Sequence, residues 1–271
     1  MEEEKKYCLL ALVSFVSLLG FIGSGTLPIY GANSKHHQHP KDEEPTILKQ
    51  KQWASYSMWL VIFVWQVISS TYILSCGWRY REDGQRICMS PHLYTKCYLA
   101  SALVCNVFGI AWSVASSESL LISASLLMTA MAITAWFRVW CISRQLEKVW
   151  IDLTTQSKSD ELWAYFNANE AAAAATWFTL VSLLSLEDIY RQIPRLTSVS
   201  TDIFTLIVLG ALLGVFFVLN AGDAAKHLIS PYPVVFWCLL GLLASNYNFE
   251  QVSASRNSKF SNKTISCKYM Y

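Results

Sequence analysis

The stretch Ser57-Met-Trp-Leu-Val-Ile-Phe-Val-Trp-Gln-Val-Ile-Ser-Ser-Thr-Tyr-Ile-Leu-Ser75 decides the fold class, because it contains no charged residue. A helix that crosses the hydrocarbon core of a bilayer needs about 20 mostly apolar residues. The stretch therefore predicts a membrane-spanning helix, and similar blocks on both sides of it predict a bundle of such helices.

Seven apolar blocks of this kind predict an all-α, polytopic membrane bundle with about seven transmembrane helices. They cover residues 7–25, 56–75, 96–116, 119–142, 167–187, 202–220 and 231–246. We expect a single transmembrane domain over residues 1–246, a polar tail over residues 247–271 and a multi-pass location in a membrane that the sequence does not identify. For residues 7–25, a cleaved signal peptide is the alternative, although the acidic start of the chain favours a retained helix.

The composition excludes several classes of protein. Only 15% of the residues are charged, against about 25% in soluble domains, and the net charge of +2 offers no basic surface for nucleic acid. No acid, base and nucleophile converge in the sequence, so we expect no enzyme. His36, His37 and His39 lack partner ligands at metal-binding spacing, so we expect a solvated loop and no metal site.

The second block presents an aromatic face with one amide. Trp59, Phe63, Gln66 and Ser70 follow one another at steps of three or four residues, which places them on one side of a helix. Such a face could line a pocket for a flat apolar ligand, with Gln66 orienting a polar substituent. The alternative is ordinary core packing with a hydrogen bond between helices. Asn106 raises the same question in the third block.

Charged and aromatic residues in the fourth and fifth blocks allow two interpretations each. Trp136 and Trp140 could line a pocket or anchor the helix at the interface, where Arg138 would snorkel. Glu170 could be a proton or cation site, or an acid that the helix dipole favours near the start of the fifth helix.

Small residues and cysteines give weaker signals. Gly210 and Gly214 form a Gly-x-x-x-Gly step, which predicts helix packing within the monomer or a homodimer contact. Cys76 and Cys88 share a loop and could pair in an oxidising compartment, whereas the other cysteines form no disulfide framework. Asn262 begins a glycosylation sequon, Asn-Lys-Thr.

Three motifs resemble the tryptophan-rich sensory protein family, also called the translocator protein or peripheral benzodiazepine receptor family, in its longer eukaryotic members. The first runs from Trp53 through Trp59 and Phe63-Val-Trp-Gln66 to Tyr72. The second is Thr176-Trp-Phe-Thr179 with the following leucines, and the third is Pro231-Tyr-Pro233 with Trp237 and Gly241. The chain departs from the family at Lys49–Trp53, where the family has Pro-x-Trp, and at Ser185, where it has Asn.

The resemblance implies that the first five helices enclose a pocket for a porphyrin, a sterol or a similar flat ligand, which the protein would bind in order to transport or sense it. The residues expected to line this pocket are Trp59, Phe63, Gln66, Asn106, Trp112 and Trp177. A loose sterol-contact pattern, Leu186, Tyr190 and Arg195, follows the fifth block at the position where the family has one.

Two other functions compete with ligand binding. A secondary transporter or channel would need an intramembrane charge, for which we name Glu170. A seven-helix signalling receptor fits the number of blocks, but the third and seventh blocks lack the acidic-Arg and Asn-Pro steps of such receptors.

Overall fold

The computed structural model describes residues 2–35, 52–80, 93–156, 158–190, 210 and 228–246. Six helices account for nearly all of this part of the chain, which contains no extended strand. They are α1 (Glu2–Lys35), α2 (Gln52–Cys76), α3 (Lys96–Ser117), α4 (Leu121–Gln156), α5 (Lys158–Tyr190) and α6 (Pro231–Asn246). The prediction of an all-helical bundle is therefore confirmed.

The apolar blocks place the helices well but not all of their ends. The bounds of α2, α3 and α6 agree with the blocks to within a few residues. In contrast, α4 continues to Gln156 and α5 begins at Lys158, because strong helix formers such as Glu and Lys extend a helix beyond its apolar part. Hydropathy marks the segment suited to lipid, whereas backbone hydrogen bonding sets the length of the helix.

Four of the described helices are long and apolar enough to cross a membrane, and the predicted count of seven is corrected to these four. They are Glu3–Gly25, Trp53–Cys76, Lys96–Ser117 and Leu121–Val149. The fifth block does not qualify, because α5 carries acidic residues and an alanine run that lower its hydropathy. The apolar part of α6 is shorter, Pro231–Ala244, and the block at 202–220 lies outside the described residues except for Gly210.

The first five helices form a closed ring in the order α1, α2, α5, α4, α3, and each contacts its two neighbours. α6 lies against α2 and α5 on the outside of this ring. α1 and α3 run in the same direction, since Glu3 pairs with Lys96 at one end and Phe21 meets Gly109 further along. α1 is thus built into the bundle.

Close approach between helices depends on small residues. A Cβ at Gly109 would lie 2.6 Å from the buried ring of Phe21, so α1 and α3 can come together only over a glycine. Along α5, the alanines from Ala171 to Ala175 are all buried, as expected where backbones pack closely. The ring has a tight interior that side chains fill.

Candidate functional site

Six aromatic side chains meet inside the ring of helices, and we call them the aromatic cluster: Phe21, Trp59, Phe63, Trp112, Trp177 and Phe178. Trp59 stands at its centre. Its ring stacks on Trp112 with the centroids 5.4 Å apart, and it meets Trp177 edge-on at 6.1 Å. Phe21 of α1 also packs edge-on against Trp59, so one α2 side chain touches three other helices.

Four of the predicted pocket residues therefore lie together: Trp59, Phe63, Trp112 and Trp177. Their rings are in mutual contact and fill the interior instead of lining an open space. Trp177 is fully buried, and its indole nitrogen has no hydrogen-bond partner within the described structure. A flat ligand can enter this place only if the rings of Trp59 and Trp112 move apart.

A buried group of polar side chains, which we call the polar centre, lies beside the aromatic cluster. It consists of Gln66, Tyr98, Arg138 and Glu170, which come from α2, α3, α4 and α5. Arg138 donates two hydrogen bonds to the Glu170 carboxylate, at 3.2 and 2.6 Å, and one to the Tyr98 hydroxyl at 2.6 Å. The Gln66 side chain also lies next to Glu170 and favours its carboxylate form.

The polar centre contains a matched ion pair removed from water. Arg138 and Glu170 are 6% and 1% exposed, and the Arg138 guanidinium also lies 4.7 Å from the centre of the Tyr98 ring. Burial of a single charge is costly, so an Arg held by two bonds to a carboxylate is the arrangement that tolerates such a site. Each charge depends on the other to remain there.

Two predictions about these charges are wrong. Glu170 is not an acid near the start of a helix, because α5 begins at Lys158 and Glu170 lies in its interior. Arg138 does not snorkel to the interface, because its head group is bound inside the bundle. The sequence held a signal for the pair: Arg138 is the only charge in block 119–142, and Glu170 is the only charge in block 167–187 before Glu187 at its end.

Asn167 extends the polar centre by one turn of α5. Its amide nitrogen donates to the Tyr94 hydroxyl at 2.5 Å and to the backbone carbonyl of Trp163 at 2.7 Å. Tyr94 precedes α3, and burial raises the pKa of its phenol well above the ordinary value. The Tyr94 hydroxyl therefore stays protonated.

Four buried polar atoms around the polar centre have no hydrogen-bond partner in the described structure. They are Gln66 Oε1, Ser69 Oγ, Arg138 Nε and Asn167 Oδ1. A buried polar atom without a partner costs about 1–3 kcal/mol, and water or a ligand usually supplies the missing bond. Their concentration here distinguishes the polar centre from ordinary core packing.

Asn106 has a different place from the one expected. Its amide nitrogen donates to the Ser14 carbonyl at 3.2 Å and to the Ser17 hydroxyl at 3.1 Å. It thus joins α3 to α1, and the structure does not bring it to the polar centre. Trp136 likewise donates to Thr179 of α5, whereas Trp140 is more than half exposed, as an interface anchor would be.

A separate cavity of about 340 Å³ lies between α2, α5 and α6. Its lining is apolar and includes Met58, Ile62, Trp65, Val234 and Trp237. The Trp237 indole donates to the Ala54 carbonyl at 3.0 Å, which fixes one wall. Its volume falls in the range of small-molecule sites, and the sequence did not predict it because its walls come from three helices far apart in the chain.

The remaining predicted positions carry little structural information. Leu186 is partly buried near the end of α5, and Tyr190 is the last residue of that helix. Gly210 is exposed, and a Cβ built there would meet no atom of the described residues within 4 Å. Cys76 is buried at the end of α2. The other predicted positions, which are His36, His37, His39, Cys88, Arg195, Gly214, Asn262 and the tail 247–271, lie outside the described residues.

Comparison of the chain with protein-family models, with curated proteins and with solved structures finds no match, so its function is argued from the site itself.

Proposed function

We propose that the chain is an integral membrane protein that binds a flat apolar ligand, a porphyrin or a sterol, inside the five-helix ring, in order to transport or sense it. The observation that supports this most is the aromatic cluster around Trp59, which joins α1, α2, α3 and α5 next to the polar centre. Aromatic faces stack on flat ligands, and polar atoms at one end orient them.

The distribution of side chains supports a membrane location. Leu60, Ile122, Leu126 and Ile133 are each more than 60% exposed, whereas Gln66, Arg138 and Glu170 are buried. An apolar exterior around a polar interior is favourable in lipid and unfavourable in water. This distribution supports a multi-pass bundle in a bilayer.

We further propose that α5 crosses the membrane with the four candidate spans. It runs antiparallel to α2 over the same depth. Tyr72, near the end of α2, stacks on Trp163, near the start of α5, at 4.1 Å, whereas Trp59, earlier in α2, meets Trp177, which is two turns after Glu170 in α5. Its acid is neutralised by Arg138, so the low hydropathy of α5 is no obstacle to burial. α5 would then be a fifth crossing beside the four candidate spans.

The resemblance to the tryptophan-rich sensory protein family stays a proposal. Its support is that five helices form a ring around the residues that carry the resemblance, Trp59, Phe63 and Trp177. A homodimer through Gly210 and Gly214 also stays a prediction, as does the sterol contact of Leu186, Tyr190 and Arg195.

The test is titration of the purified protein in nanodiscs with protoporphyrin IX, following the absorbance of the porphyrin and the quenching of tryptophan fluorescence. We expect Trp59→Ala combined with Gln66→Ala to weaken binding at least tenfold, because the central ring and the neighbouring amide are both lost. Trp140→Ala, which removes an exposed indole, is the matched control and should bind like wild type. Equal affinity of all three proteins would exclude this site.

A transporter or channel that uses Glu170 as its ion or proton site is the second candidate. The structure gives it less support, because the Glu170 charge is already satisfied by Arg138. Reconstituted vesicles in which Glu170→Gln leaves substrate or proton flux unchanged would remove the main argument for this function.

A further inference from the structure

The first inference concerns what the polar centre recognises. Gln66 turns its amide nitrogen towards Glu170, since its side chain favours the Glu170 carboxylate and a carboxylate only accepts hydrogen bonds. Asn167 must donate its nitrogen to the Trp163 carbonyl for the same reason. The orientation of both amides is therefore fixed, and the unpartnered oxygens, Gln66 Oε1 and Asn167 Oδ1, are true acceptors.

These acceptors lie close to each other along the α2–α5 contact. Gln66 meets Glu170, and Asn167 is one turn before Glu170 on α5, so the two residues lie about one helical turn, roughly 5 Å, apart along the α2–α5 contact. Ser69 follows Gln66 by one turn on α2, and the antiparallel pairing brings it level with Asn167. The Ser69 hydroxyl is also unpartnered in the described structure.

The charge at this place is already balanced. Glu170 takes two hydrogen bonds from Arg138, and Nε is the one guanidinium nitrogen left without a partner in the described structure. A carboxylate brought here would face two acceptor oxygens and a second carboxylate, with no unmatched cation among the described groups of the centre. A neutral hydroxyl would instead donate to an amide oxygen and accept from Nε.

We infer that the polar centre, with Ser69 and Asn167, binds a neutral hydrogen-bond-donating group of the ligand, such as a hydroxyl, and selects against a carboxylate. This inference rests on the proposed function, because it assumes that the flat part of the ligand lies in the aromatic cluster. It narrows the ligand class to neutral, hydroxyl-bearing flat molecules.

Three porphyrins with the same ring system test the inference: protoporphyrin IX, its dimethyl ester and haematoporphyrin dimethyl ester. The first is anionic, the second is neutral without hydroxyls, and the third is neutral with two. We expect the third to bind about tenfold more tightly than the second, the effect of roughly one hydrogen bond, and the first to bind most weakly. Gln66→Met should abolish the advantage of the hydroxyls, and Ser69→Ala should reduce it.

The outcomes separate the two proposals. If no probe binds in a way that depends on Trp59, the proposed function fails and this inference fails with it. If Trp59 matters but protoporphyrin IX binds as tightly as the hydroxylated ester, only the inference is overturned. Should Gln66→Met fail to fold, Ser69→Ala decides, since its hydroxyl has no partner in the described structure; an unchanged preference in that variant overturns the inference.

A second inference comes from an independent observation, a pair of cysteines on neighbouring helices. Cys97 lies in the first turn of α3 and Cys141 lies on α4, and the two sulfur atoms are 3.2 Å apart without a bond between them. Cys97 is exposed, whereas Cys141 is buried. The neighbouring Lys96 is also exposed, so Cys97 stands at the water-facing end of its helix.

We propose that Cys97 and Cys141 form a reversible disulfide in response to a peroxide. The Cys97 thiolate attacks one peroxide oxygen, which breaks the O–O bond and yields a sulfenic acid and water. The Cys141 sulfur then attacks the Cys97 sulfur, the S–O bond breaks, and the oxygen leaves as water. Two thiols are oxidised, one peroxide is reduced to two waters, and a cellular dithiol or glutathione reverses the step.

The disulfide would affect the polar centre because of where the two cysteines lie. Cys97 directly precedes Tyr98, and Cys141 follows Arg138 by one turn. A bond between the sulfurs would fasten α3 to α4 next to the hydrogen bond from Arg138 to Tyr98. Oxidation would thus hold one side of the polar centre rigid.

Peptide mapping by mass spectrometry tests the second proposal. Protein in nanodiscs is treated with hydrogen peroxide, denatured and alkylated with N-ethylmaleimide before digestion. We expect a Cys97–Cys141 cross-linked peptide that disappears on reduction and in Cys97→Ser or Cys141→Ser. Cys105→Ser is the control, because the Cys105 sulfur donates to the Met131 carbonyl and faces no cysteine in the described structure. Alkylation of both Cys97 and Cys141 after peroxide, or a bond from Cys97 to another cysteine, overturns the proposal.

Discussion

At the scale of single residues, the ion pair between Arg138 and Glu170 sets the strongest constraint on the fold. Both groups are nearly inaccessible to solvent, and their carboxylate and guanidinium are joined by two hydrogen bonds. Removal of one partner leaves the other charge buried and unpaired, which costs far more than the net contribution of the intact pair. Once one of these two charges is present in the interior, stable folding therefore requires the other.

Arg138→Met and Glu170→Leu should each lower the free energy of unfolding by about 3–5 kcal/mol, because each leaves an unpaired charge. The double variant should lose clearly less free energy of unfolding than the two single variants lose together, since it removes both charges. Thermal or detergent unfolding followed by circular dichroism measures the effect. The control is Arg144→Met with Glu147→Gln, an exposed pair 4.0 Å apart on the same helix, whose loss should cost about 0.5 kcal/mol or less. Additive effects at 138 and 170 would contradict this account.

Sequence patterns located the aromatic residues better than the polar ones. The three- and four-residue steps on α2 placed Trp59, Phe63 and Gln66 on the interior face, where the structure has them. The pairing of Arg138 with Glu170 depends on which helices are neighbours, and periodicity within one helix carries no such information. Asn106 was misplaced for the same reason, since its partners are on α1.

At the scale of helices, the contact between α1 and α3 depends on one glycine. A Cβ at Gly109 would lie 2.6 Å from the Phe21 ring, and that ring is fully buried and in contact with Trp59 and Phe63. The ring therefore has little space into which it could move. The contact between α1 and α3 therefore tolerates no residue larger than glycine at position 109.

Gly109→Ala should reduce the free energy of unfolding by about 1–3 kcal/mol, the usual cost of overpacking, even though Ala favours helices more than Gly does. Gly23→Ala on α1 is the matched control, because a Cβ at Gly23 would have no atom within 4 Å. We expect this control to be neutral or slightly stabilising in the same unfolding measurement. A Gly109→Ala protein as stable as the control would show that the α1–α3 contact is looser than described.

The start of α6 is held by a side chain from α5. The Asn169 amide oxygen accepts hydrogen bonds from the backbone N–H groups of Ile229 and Ser230, at 2.9 and 3.0 Å. The Ser230 hydroxyl in turn donates to the backbone carbonyl of Asn169. The first N–H groups of a helix have no partner within the helix, so this contact decides where α6 begins and what it packs against.

Asn169→Leu should loosen α6, and the buried thiol of Cys238 on that helix reports the change. We expect Cys238 to react about tenfold faster with a maleimide, which corresponds to the loss of roughly one net hydrogen bond. Asn169→Asp keeps an acceptor oxygen and should restore slow labelling. The reactivity of Cys105, buried between α3 and α4, should not change in either variant; faster labelling of both thiols would indicate general unfolding instead.

At the scale of the whole molecule, the directions of the helices define two ends of the bundle. The start of α1, the end of α2 and the start of α3 share one end, because Glu3 pairs with Lys96 and the Cys8 thiol meets the Gly77 carbonyl. α6 runs parallel to α5, since Asn169 meets Ser230 at its beginning and Ala173 lies further along near Val234. The apolar pattern predicted α5 as a span, but the helix is not among the four candidate spans, because a hydropathy scale scores residues one at a time and counts Glu170 as a charge although Arg138 neutralises it.

The proposed crossing by α5, with α6 parallel to it, predicts that Cys97 and the C-terminus, which follows α6, lie on opposite sides of the membrane. Cys97 is exposed near the end of the bundle where α1 begins, so it reports the N-terminal side. An odd number of crossings separates the two reporters, whereas the four candidate spans alone would place them on one side. The measurement uses sealed vesicles, a membrane-impermeant maleimide mapped to Cys97, and protease access to a C-terminal tag, each before and after permeabilisation. Glycosylation of Asn262, lost in Asn262→Gln, should occur only if the tag is lumenal, and labelling of both reporters from the same side would refute the crossing by α5.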